Sequence, residues 1–513
     1  MFFPGIAKTR AIALTPLLWG LACADPASIL GGGSTSMELP LTGLPADASS
    51  SGTTLDDDSG PGPFPCGDPD GLCTNEIDLL FVIDNSGTMG EEQLNLATNF
   101  PLLVERLEAL EDGRGNLVGA DVNIMVTTTD FGNPQCFGPW VKPDYVPAKG
   151  SPIYTPCTER LNRFTGYGEP PLVIEEACLE VCDPAAPAAP TDQFIHFGPG
   201  GHNVEGGEPA DALACIGPQG IDGCGFEAPL ESMSQALNPG ACWNDPDNCN
   251  DPQWDFITRP FLRPGATLAI AIITDEADCS VQDFSIMADE TFMELEPSSG
   301  VLRPSSAICW NAGVVCTGLD PATGEYAGCI AANKGTAAQV GVGDGEAVLQ
   351  PLSRYTDLLG ALRSQGREVI MLGVLGVPEV TAHAEQPPYQ PVAGGLAALT
   401  YRDWADPEVP AGGDILPDEW DAGVRAVDKQ FEFGIGPGCT GYDPATDTYT
   451  GQAIAPVRIR EVCESLNTPD DPATFEIDET RIRCCVESIC DDDFSPAIRC
   501  LTGLIEQAVT PVE

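Results

Sequence analysis

The sequence predicts an α/β fold with a doubly wound, Rossmann-like, mostly parallel sheet that carries long disulfide-linked insertions. Three observations support this prediction. Four short runs are continuously apolar, which is typical of strands buried on both faces of a parallel sheet. Segments with helical periodicity lie between these runs. The long stretches that show neither pattern hold many of the 21 cysteines of this 513-residue chain.

The predicted strands cover residues 77–83, 122–127, 267–274 and 368–376. The segment GEEQLNLATNFPLLVERLEAL follows the first strand as a helix, in which Pro101 predicts a kink or a restart at Asn99. Two further segments, FEAPLESMSQAL and FSPAIRCLTGLIEQAV, also have helical spacing. Their predicted inward-facing residues are Phe226, Leu230, Met233 and Leu237 in the first, and Ile498, Leu501 and Ile505 in the second.

The N-terminus predicts export from a bacterial cell. Lys8 and Arg10 precede the apolar stretch AIALTPLLWGLA, so residues 1–23 are interpreted as a signal peptide. Both ordinary cleavage and lipoprotein processing, with Cys23 as the lipidated residue, are compatible with the sequence ACADP. Residues 24–65 are rich in Gly, Ser, Thr, Asp and Pro, which predicts a disordered tether.

These features predict an extracytoplasmic protein, either a surface lipoprotein of the cell envelope or a secreted protein. No later segment is long and apolar enough for a membrane span, so membrane attachment would depend on a lipid at Cys23. Asp and Glu number 77 against 23 Lys and Arg, which gives a formal net charge of −54. Such an excess repels phosphate backbones and argues against a nucleic-acid partner.

Residues 66–513 are interpreted as one domain with insertions at about 131–215, 280–345 and 381–455. The cysteines fall into blocks of even number, which predicts local disulfides within each block. There are two in Cys66 and Cys73, eight from Cys136 to Cys249, four from Cys279 to Cys329, and six from Cys439 to Cys500. The exact connectivity does not follow from spacing. Cys178/Cys182 and Cys242/Cys249 are spaced closely enough to suit local pairing.

An internal repeat is also present. CTGLDPATGEYAG begins at Cys316 and CTGYDPATDTYTG at Cys439, and each predicts a turn between two short strands. The favoured interpretation is a hairpin anchored by a disulfide. The alternative is a Ca²⁺ site built from its acids and hydroxyls.

Acidic and hydroxylated residues follow three of the predicted strands. The first strand ends at Asp84, Ser86 and Thr88, the second in the TTTD of residues 127–130, and the third in ITDEADCS, which contains Asp275. Ligands of such sheets bind outside the carboxyl ends of the strands. Because the set has hydroxyls and carboxylates without histidine or thiolate, it suits a hard cation such as Mg²⁺, Mn²⁺ or Ca²⁺.

These residues resemble the metal-ion-dependent adhesion site of the von Willebrand factor A domain family. The family motif D-x-S-x-S is similar to DNSGT at residues 84–88, and the family's later Asp matches Asp275. Blocks such as CIGPQGIDGCGFEAPLESM and SICDDDFSPAI resemble a bacterial exported subgroup with cysteine-rich insertions. The resemblance covers residues 76–130, 222–275, 367–378 and 493–510.

The resemblance implies a function as well as a fold. In the family, the two hydroxyls bind the ion directly, the Asp residues act mainly through water, and an acidic residue of a protein partner completes the shell. The implied metal residues are therefore Asp84, Ser86, Thr88 and Asp275. We expect Mg²⁺ or Mn²⁺, with Ca²⁺ as an alternative, and a protein ligand that has an exposed acidic residue.

One position departs from the family pattern. The family has a ligand Thr in a loop before a helix, and the similar position here is Cys224. Hydroxyls of Thr128 or Thr129, or the carboxylate of Glu227, are candidate replacements. Asp278 and its neighbour Glu276 are interpreted either as loop acids or as residues that raise Ca²⁺ affinity or bind a second ion.

Two other function classes remain open at this point. One is a structural scaffold without metal, which binds partners through its insertions. The other is a haloacid-dehalogenase-like phosphatase, with Asp84 as nucleophile and Asp275 and Asp278 as Mg²⁺ ligands. Ser86 stands where that family has its general acid, and a serine hydroxyl cannot act as an acid near neutral pH. We therefore expect a binding protein rather than an enzyme.

Overall fold

The structure is a computed structural model that describes residues 76–136, 142, 145–168, 171–254, 256–405, 425–443, 448–467 and 481–509. All of these belong to one unit, Pro63–Glu513. The predicted signal peptide with Cys23, the predicted tether and the Cys66/Cys73 block lie outside the described residues.

The described part contains many short strands and nine named helices. The strands are β1 (Glu76–Ile83), β2 (Asp121–Thr128), β3 (Thr165–Gly168), β4 (Pro171–Val173), β5 (Ala189–Pro190), β6 (Ile195–Gly198), β7 (Gly201–His202), β8 (Val204–Glu205), β9 (Thr267–Ile273), β10 (Glu294–Glu296), β11 (Val301–Arg303), β12 (Val314–Thr317), β13 (Glu325–Tyr326), β14 (Gly328–Ala331), β15 (Val369–Leu375), β16 (Val380–His383), β17 (Pro391–Gly394), β18 (Tyr401–Arg402), β19 (Pro437–Asp443), β20 (Thr448–Ile454) and β21 (Cys484–Ser488). The helices are α1 (Gly90–Glu108), α2 (Glu176–Leu179), α3 (Pro209–Ile216), α4 (Pro229–Ala236), α5 (Ala307–Gly313), α6 (Ser353–Ser364), α7 (Ala426–Phe433), α8 (Val457–Ser465) and α9 (Ser495–Val509).

A seven-stranded sheet with the order β21-β15-β9-β1-β2-β6-β7 forms the centre. The first five strands in this order are parallel, while β6 and β7 add an antiparallel edge. Strand β9 is buried along its whole length, as its continuously apolar sequence predicts. The four predicted strands are confirmed to within two residues. The sequence analysis missed β21 and the antiparallel edge, because CCVES and IHFG are too short and too polar for its pattern.

Hydrophobic cores lie on both faces of the sheet. Helices α1, α3 and α9 pack against one face, and α4, α6 and α8 against the other. Ile498, Leu501 and Ile505 are buried as predicted. Helix α1 runs through Pro101 without a break, so a restart at Asn99 is wrong. The mixed α/β class with a mostly parallel sheet is confirmed.

The second predicted helix is shorter than its sequence pattern. Leu230, Met233 and Leu237 face the core as predicted. Phe226 lies before the helix begins at Pro229, and it packs with the separate cluster of the second insertion. Pro229 accounts for the start, because proline suits the first turn of a helix.

Nine disulfides join every cysteine in the described part of the chain. They are Cys136–Cys224, Cys157–Cys178, Cys182–Cys215, Cys242–Cys249, Cys279–Cys309, Cys316–Cys329, Cys439–Cys490, Cys463–Cys484 and Cys485–Cys500. The prediction that each described block pairs internally is confirmed. Local pairing of Cys178 with Cys182 is wrong, because both cysteines bond to more distant partners.

The two repeats form hairpins of different construction. Strands β12 and β14 pair around the first repeat and are linked by Cys316–Cys329, which confirms a disulfide-anchored hairpin. Strands β19 and β20 pair around the second repeat, but Cys439 bonds to Cys490 outside the hairpin. Within the described residues, no helix has the length and apolar character that crossing a membrane requires.

Candidate metal centre

Three parallel strands end together at one edge of the sheet, which we call the rim. Ile83 of β1 stands opposite Thr128 of β2 and Ile273 of β9. The backbone N–H of Asp84 donates to the Ile273 carbonyl at 2.9 Å, and that of Thr129 donates to the Ile83 carbonyl at 3.2 Å. The polar residues that follow the three strands are therefore brought to the same place, as predicted.

The DNSGT loop is closed by its own hydrogen bonds. The Ser86 N–H donates to Asp84 Oδ1 at 2.8 Å, and the hydroxyl oxygens of Ser86 and Thr88 lie 3.1 Å apart. Gln93 of α1 then fixes the loop, because its Nε2 donates at 2.8 Å to both the Asp84 and the Gly220 carbonyls. The sequence analysis missed Gln93, for which it had no signal beyond a polar residue on a helix.

Asp275 lies beside this loop. Thr274 donates a hydrogen bond from its hydroxyl to Asp84 Oδ2, which ties the end of β9 to the end of β1. The Thr88 side chain lies near enough to the Asp275 carboxyl to lower its pKa. One carboxylate oxygen, Asp275 Oδ1, is buried and has no hydrogen-bond partner among the described residues. The main-chain carbonyl of Asp275 accepts from the Ile454 N–H at 2.7 Å.

The loop before α4 closes the rim from the side of β2. The Gly223 N–H donates to the Asn85 carbonyl at 2.8 Å, and a Cβ on Gly223 would lie only 2.6 Å from Asn85 atoms. The Ala228 N–H donates to the Thr129 carbonyl at 2.9 Å, and the Thr129 hydroxyl donates to Glu227 Oε2. Glu227 Oε1 is buried and has no hydrogen-bond partner in the part of the chain that the structure describes. Glu227 and Thr129 thus reach the rim together.

Cys224 is bonded to Cys136, so it supplies no ligand at the position where the family has Thr. Its backbone N–H donates to Asp130 Oδ2 at 3.3 Å. Asp130 also accepts from the Tyr145 hydroxyl, at 2.7 Å on Oδ1 and 2.6 Å on Oδ2. The sequence analysis placed Asp130 at the strand end but gave it no role.

Asp278 has a different role from the one proposed for it. Its Oδ2 forms an ion pair with Arg458 Nε at 2.9 Å, and its Oδ1 accepts from the Ser280 hydroxyl at 2.6 Å and from the Leu230 N–H at 3.3 Å. Both oxygens are therefore occupied by protein donors. Asp278 links α4 to α8, and we no longer include it among the candidate metal residues.

Thr128 and Thr129 were proposed together but face different surroundings. Successive residues of a strand point to opposite faces, so only Thr129 meets Glu227. Thr128 lines a separate cavity of about 220 Å³ that contains Arg160 and Arg163. Its hydroxyl is buried and has no hydrogen-bond partner among the described residues.

Five carboxylates are buried at the rim, which we call the rim carboxylates: Asp84, Asp130, Glu227, Asp275 and Glu276. Burial raises the pKa of Asp84 to about 6, although hydrogen bonds from Thr274 and Ser86 oppose the rise. Burial and then the charge of Asp84 raise the pKa of Glu227 well above its usual range. The same two causes act on Asp275.

Glu276 and Asp130 follow the same trend. Burial and the neighbouring Asp275 raise the pKa of Glu276, and the positive charge of Lys429 opposes the rise. Burial raises the pKa of Asp130 against its hydrogen bond from Tyr145. None of the basic side chains in the described ranges forms an ion pair with a rim carboxylate. The rim therefore concentrates acidic groups without a matching cation from the described residues.

The chain matches no protein-family model, and a comparison with curated proteins finds no similar sequence. The resemblance to the von Willebrand factor A family therefore rests on the motifs and their placement alone.

A second group has a different chemistry. Cys485, Glu487 and Cys500 are the only three His, Cys, Asp or Glu residues in the described chain whose ligand atoms gather within 4.8 Å. The two sulfurs form a disulfide, so neither is a thiolate. Glu487 is held by His383 Nε2, 3.1 Å from each carboxylate oxygen. This group is not a metal site. The rim carboxylates form no such group of three in the described chain, so an ion there would also need hydroxyl oxygens as ligands.

Proposed function

We propose that the rim binds a divalent cation, and that the protein recognises a protein partner through a carboxylate that the partner places on this cation. The fold would then be an elaborated von Willebrand factor A-type domain. The observation that carries the proposal is the set of rim carboxylates, which are buried together without an ion-pair partner in the described chain. The ion would be held by Asp84, Ser86, Thr88 and Asp275.

The donor atoms suit a hard cation. Burying an unpaired carboxylate costs several kcal/mol, so a group of such carboxylates favours either protons or a cation. Asp275 Oδ1 and Glu227 Oε1 are buried oxygens that lack hydrogen-bond donors among the described residues. Carboxylate and hydroxyl oxygens are the ligands of Mg²⁺, Mn²⁺ and Ca²⁺. We favour Mg²⁺ or Mn²⁺, with Ca²⁺ as an alternative.

Glu227 is the best replacement for the missing Thr ligand. Its side chain is 1 % exposed. The Thr129 hydroxyl donates to one carboxylate oxygen, and the other has no hydrogen-bond donor among the described residues. A carboxylate there adds a negative charge that the family's Thr does not have. This charge would neutralise the bound cation more fully than in the family. The cation would then attract the partner's carboxylate less strongly, and this chain would bind the cation more tightly.

The insertions are positioned to select the partner. Tyr145 of the first insertion donates to Asp130, and Ile454 of the third donates its N–H to Asp275. Contacts of this kind support the proposal that insertion surfaces would lie beside the bound cation. Nine disulfides in the described chain are typical of an oxidising compartment, which supports an exported protein at the cell surface or in the medium.

One observation favours the scaffold alternative. At the position where the family has a ligand Thr, this chain has Cys224, which is bonded to Cys136 and offers no ligand. The phosphatase alternative has less support. Its second Mg²⁺ ligand, Asp278, is occupied by Arg458. That family also needs a phosphate-binding lysine, for which Lys142 and Lys149 are the candidates between Asp84 and Asp275. Lys142 lies 3.4 Å from Asp222 and donates to the Thr165 carbonyl at 2.7 Å.

Cation binding is the decisive test. The purified chain is treated with EDTA, and thermal unfolding is followed as Mg²⁺, Mn²⁺ or Ca²⁺ is added. A ligand at one hundred times its Kd stabilises a protein by about 2.7 kcal/mol. We expect Asp84→Ala to abolish the response, and Asp247→Ala, which removes an exposed acid, to preserve it.

Each other result has a defined meaning. If the unmodified chain shows no cation-dependent shift, the metal centre is wrong and the scaffold alternative stands. If Asp84→Ala responds as strongly as the unmodified chain, the cation binds elsewhere. Turnover of p-nitrophenyl phosphate that is lost in Asp84→Asn would favour the phosphatase.

A further inference from the structure

A cavity of about 220 Å³ lies beside the DNSGT loop, between the rim and the first insertion. Asn85 of the loop and Thr128 at the end of β2 line it from the side of the sheet. Val146 and Ile153 of the first insertion line it from the other side. One water needs about 10–15 Å³ of such volume, so the cavity has room for a side chain of a partner.

The charged side chains that line the cavity are bonded within the chain. The Arg160 guanidinium donates to three main-chain carbonyls and to Gln219 Oε1. Arg163 Nη1 lies 3.0 Å from Asp222 Oδ2, and Asp222 lines the same cavity. These groups satisfy one another, so they do not call for a charged ligand.

Two hydroxyls of the first insertion that line the cavity are bonded as well. The Ser151 hydroxyl donates to the Ala148 carbonyl at 2.7 Å. The Tyr145 hydroxyl donates to Asp130, at 2.7 Å on Oδ1 and 2.6 Å on Oδ2. The first insertion therefore offers a ligand no free hydroxyl among these described lining residues.

The two lining residues from the side of the sheet differ from the rest. Thr128 is 3 % exposed, and its hydroxyl has no hydrogen-bond partner in the described chain. Asn85 Oδ1 is likewise buried and without a partner there. Buried polar atoms normally have partners, and those that do not call for a ligand or water. The vacant groups of the cavity are therefore uncharged.

A carboxamide complements these two atoms. Asn85 Oδ1 only accepts hydrogen bonds, whereas the Thr128 hydroxyl can donate one. A carboxamide has an N–H for the first and a carbonyl oxygen for the second. A carboxylate has no N–H for Asn85, and it would enter a cavity that Asp222 already lines. Val146 and Ile153 provide apolar surface for the methylene groups of such a ligand.

We propose that this cavity binds a carboxamide side chain of the partner, Asn or Gln, that lies near the carboxylate on the cation. This inference rests on the proposed cation bridge and adds a specificity pocket to it. Asn85 directly follows Asp84 and Thr128 directly precedes Thr129, so the cavity and the rim share the same strand ends. Successive residues of an extended chain advance roughly 3.3–3.6 Å, so the spacing between the acid and the carboxamide should determine the affinity.

The test uses the full chain, loaded with Mn²⁺, and short peptides that differ in one side chain. Acetyl-Asp-Gly-Gln-amide is compared with acetyl-Asp-Gly-Met-amide and acetyl-Asp-Gly-Glu-amide, in both residue orders and with no Gly or two in place of one. Calorimetry measures binding. With two uncharged hydrogen bonds, the best glutamine peptide should bind about tenfold more tightly than the matching methionine peptide. The glutamate peptide should have no such advantage, because its carboxylate cannot donate to Asn85.

Variants then assign the advantage of glutamine to the cavity. Thr128→Val removes the vacant hydroxyl and should reduce this advantage by about threefold or more, while the Mn²⁺-dependent thermal shift and the affinity of the methionine peptide stay unchanged. Thr128→Ser keeps a hydroxyl and should retain the advantage. Ser151→Ala is the matched control, because it removes a hydroxyl of the same cavity that is already bonded to Ala148. It should bind all the peptides like the unmodified chain.

The two proposals fail in different ways. If Mn²⁺ shifts the unfolding temperature and the methionine peptide binds, but no glutamine peptide binds more tightly, the cavity proposal is overturned and the cation bridge stands. The same holds if the glutamate peptide binds as tightly as the glutamine peptide, or if the advantage of glutamine survives Thr128→Val. If Mn²⁺ binds but none of the peptides does, the carboxylate bridge is overturned, and the cavity proposal with it. A chain that shows no response to Mn²⁺ overturns the cation site itself.

Discussion

The two ends of the central sheet both bury acidic side chains, but they balance the charge differently. At the amino end, Asp78 of β1 is fully buried and forms ion pairs with Arg263 Nε at 2.7 Å and Arg367 Nη1 at 3.3 Å. At the carboxyl end, Asp84 is equally buried and has only hydroxyl and amide donors. Asp78, whose charge two arginines balance, therefore lies only six positions before Asp84, which has no ion-pair partner among the described residues.

The pKa values do not distinguish these two acids, but their contacts do. Burial raises the pKa of Asp78 to about 6 even though Arg263 opposes it, and burial raises that of Asp84 to the same value. At Asp78, two guanidinium groups already occupy the carboxylate, so no ligand is required. At Asp84 no basic side chain of the described residues balances the charge. This lack of an ion pair, rather than a shifted pKa, is what distinguishes the end of the sheet at which we propose the cation.

A disulfide also holds the carboxyl end together. Cys136–Cys224 closes a loop of 88 residues and holds the loop before α4 against Asp130. In the chain-entropy model, removing such a link by Cys136→Ser with Cys224→Ser costs about 4–5 kcal/mol. We expect this loss in urea unfolding, together with a lower affinity for Mn²⁺ measured by calorimetry.

The matched control is Cys242→Ser with Cys249→Ser, which opens a loop of only 7 residues. It should cost about 2–3 kcal/mol and leave Mn²⁺ affinity unchanged. Equal losses of Mn²⁺ affinity in the two double variants would show that the Cys136–Cys224 link has no special relation to the rim.

The ion pairs at the amino end provide the next test. Arg263→Met should destabilise the chain by about 3–4 kcal/mol, because Asp78 would keep its burial and lose its main counter-charge. Adding Asp78→Asn in the same chain should recover part of this loss. Unfolding in urea measures both changes.

A loss that Asp78→Asn does not reduce would mean that Arg263 acts through packing instead of charge. Arg303→Ala is the control for a surface pair with Glu296, and it should change stability by less than about 1 kcal/mol.

Acid-to-amide changes at the two ends should have opposite signs when no cation is present. Asp275→Asn removes one of the mutually repelling rim carboxylates, so in EDTA it should stabilise the chain by about 2 kcal/mol. Asp78→Asn alone leaves two arginines without their acid and should destabilise it. Thermal and urea unfolding in EDTA check both signs, and destabilisation by Asp275→Asn in EDTA would contradict the comparison.

The sequence predicted the rim because its signals were local. Continuous apolar runs gave the parallel strands, and the polar residues at their ends named Asp84, Ser86, Thr88 and Asp275 in advance. Even cysteine counts predicted that pairing stays within each block, but not which cysteines pair. For the strands and the residues at their ends, a few neighbouring residues contained the information.

The remaining features depend on contacts between distant residues. Asp278 resembles its acidic neighbours in sequence, and only the approach of Arg458, 180 positions away, shows that it is occupied. Glu227 meets Thr129 across 98 positions. The cavity with Arg160 is formed when an insertion without a regular pattern folds back against β2. Such pairings cannot be read from periodicity.

A smaller effect concerns Glu487, which lies on β21 at the edge of the same sheet. It is 2 % exposed and faces His383, Asp491 and Arg499. Burial, and then the charge of Asp491, raise its pKa from 4.5 to about 8. The folded chain therefore binds more protons than the unfolded chain between these values, and this contribution to stability is lost as the pH rises towards 8.

Glu487→Gln imitates the protonated acid and should remove this pH dependence. We expect the variant to gain on the order of 1 kcal/mol over the unmodified chain at pH 6 compared with pH 5, because a displaced pKa corresponds to about 1.4 kcal/mol per pH unit and His383 can still hydrogen-bond to the amide. Urea unfolding at both pH values, with Glu180→Gln as an exposed control, measures the difference. If the gain is the same at both pH values, Glu487 is ionised in the folded chain. Glu487 would then be a further charged acid buried at the carboxyl end of the sheet. We infer instead that Glu487 is protonated in the folded chain, so that a proton and not a cation balances its charge.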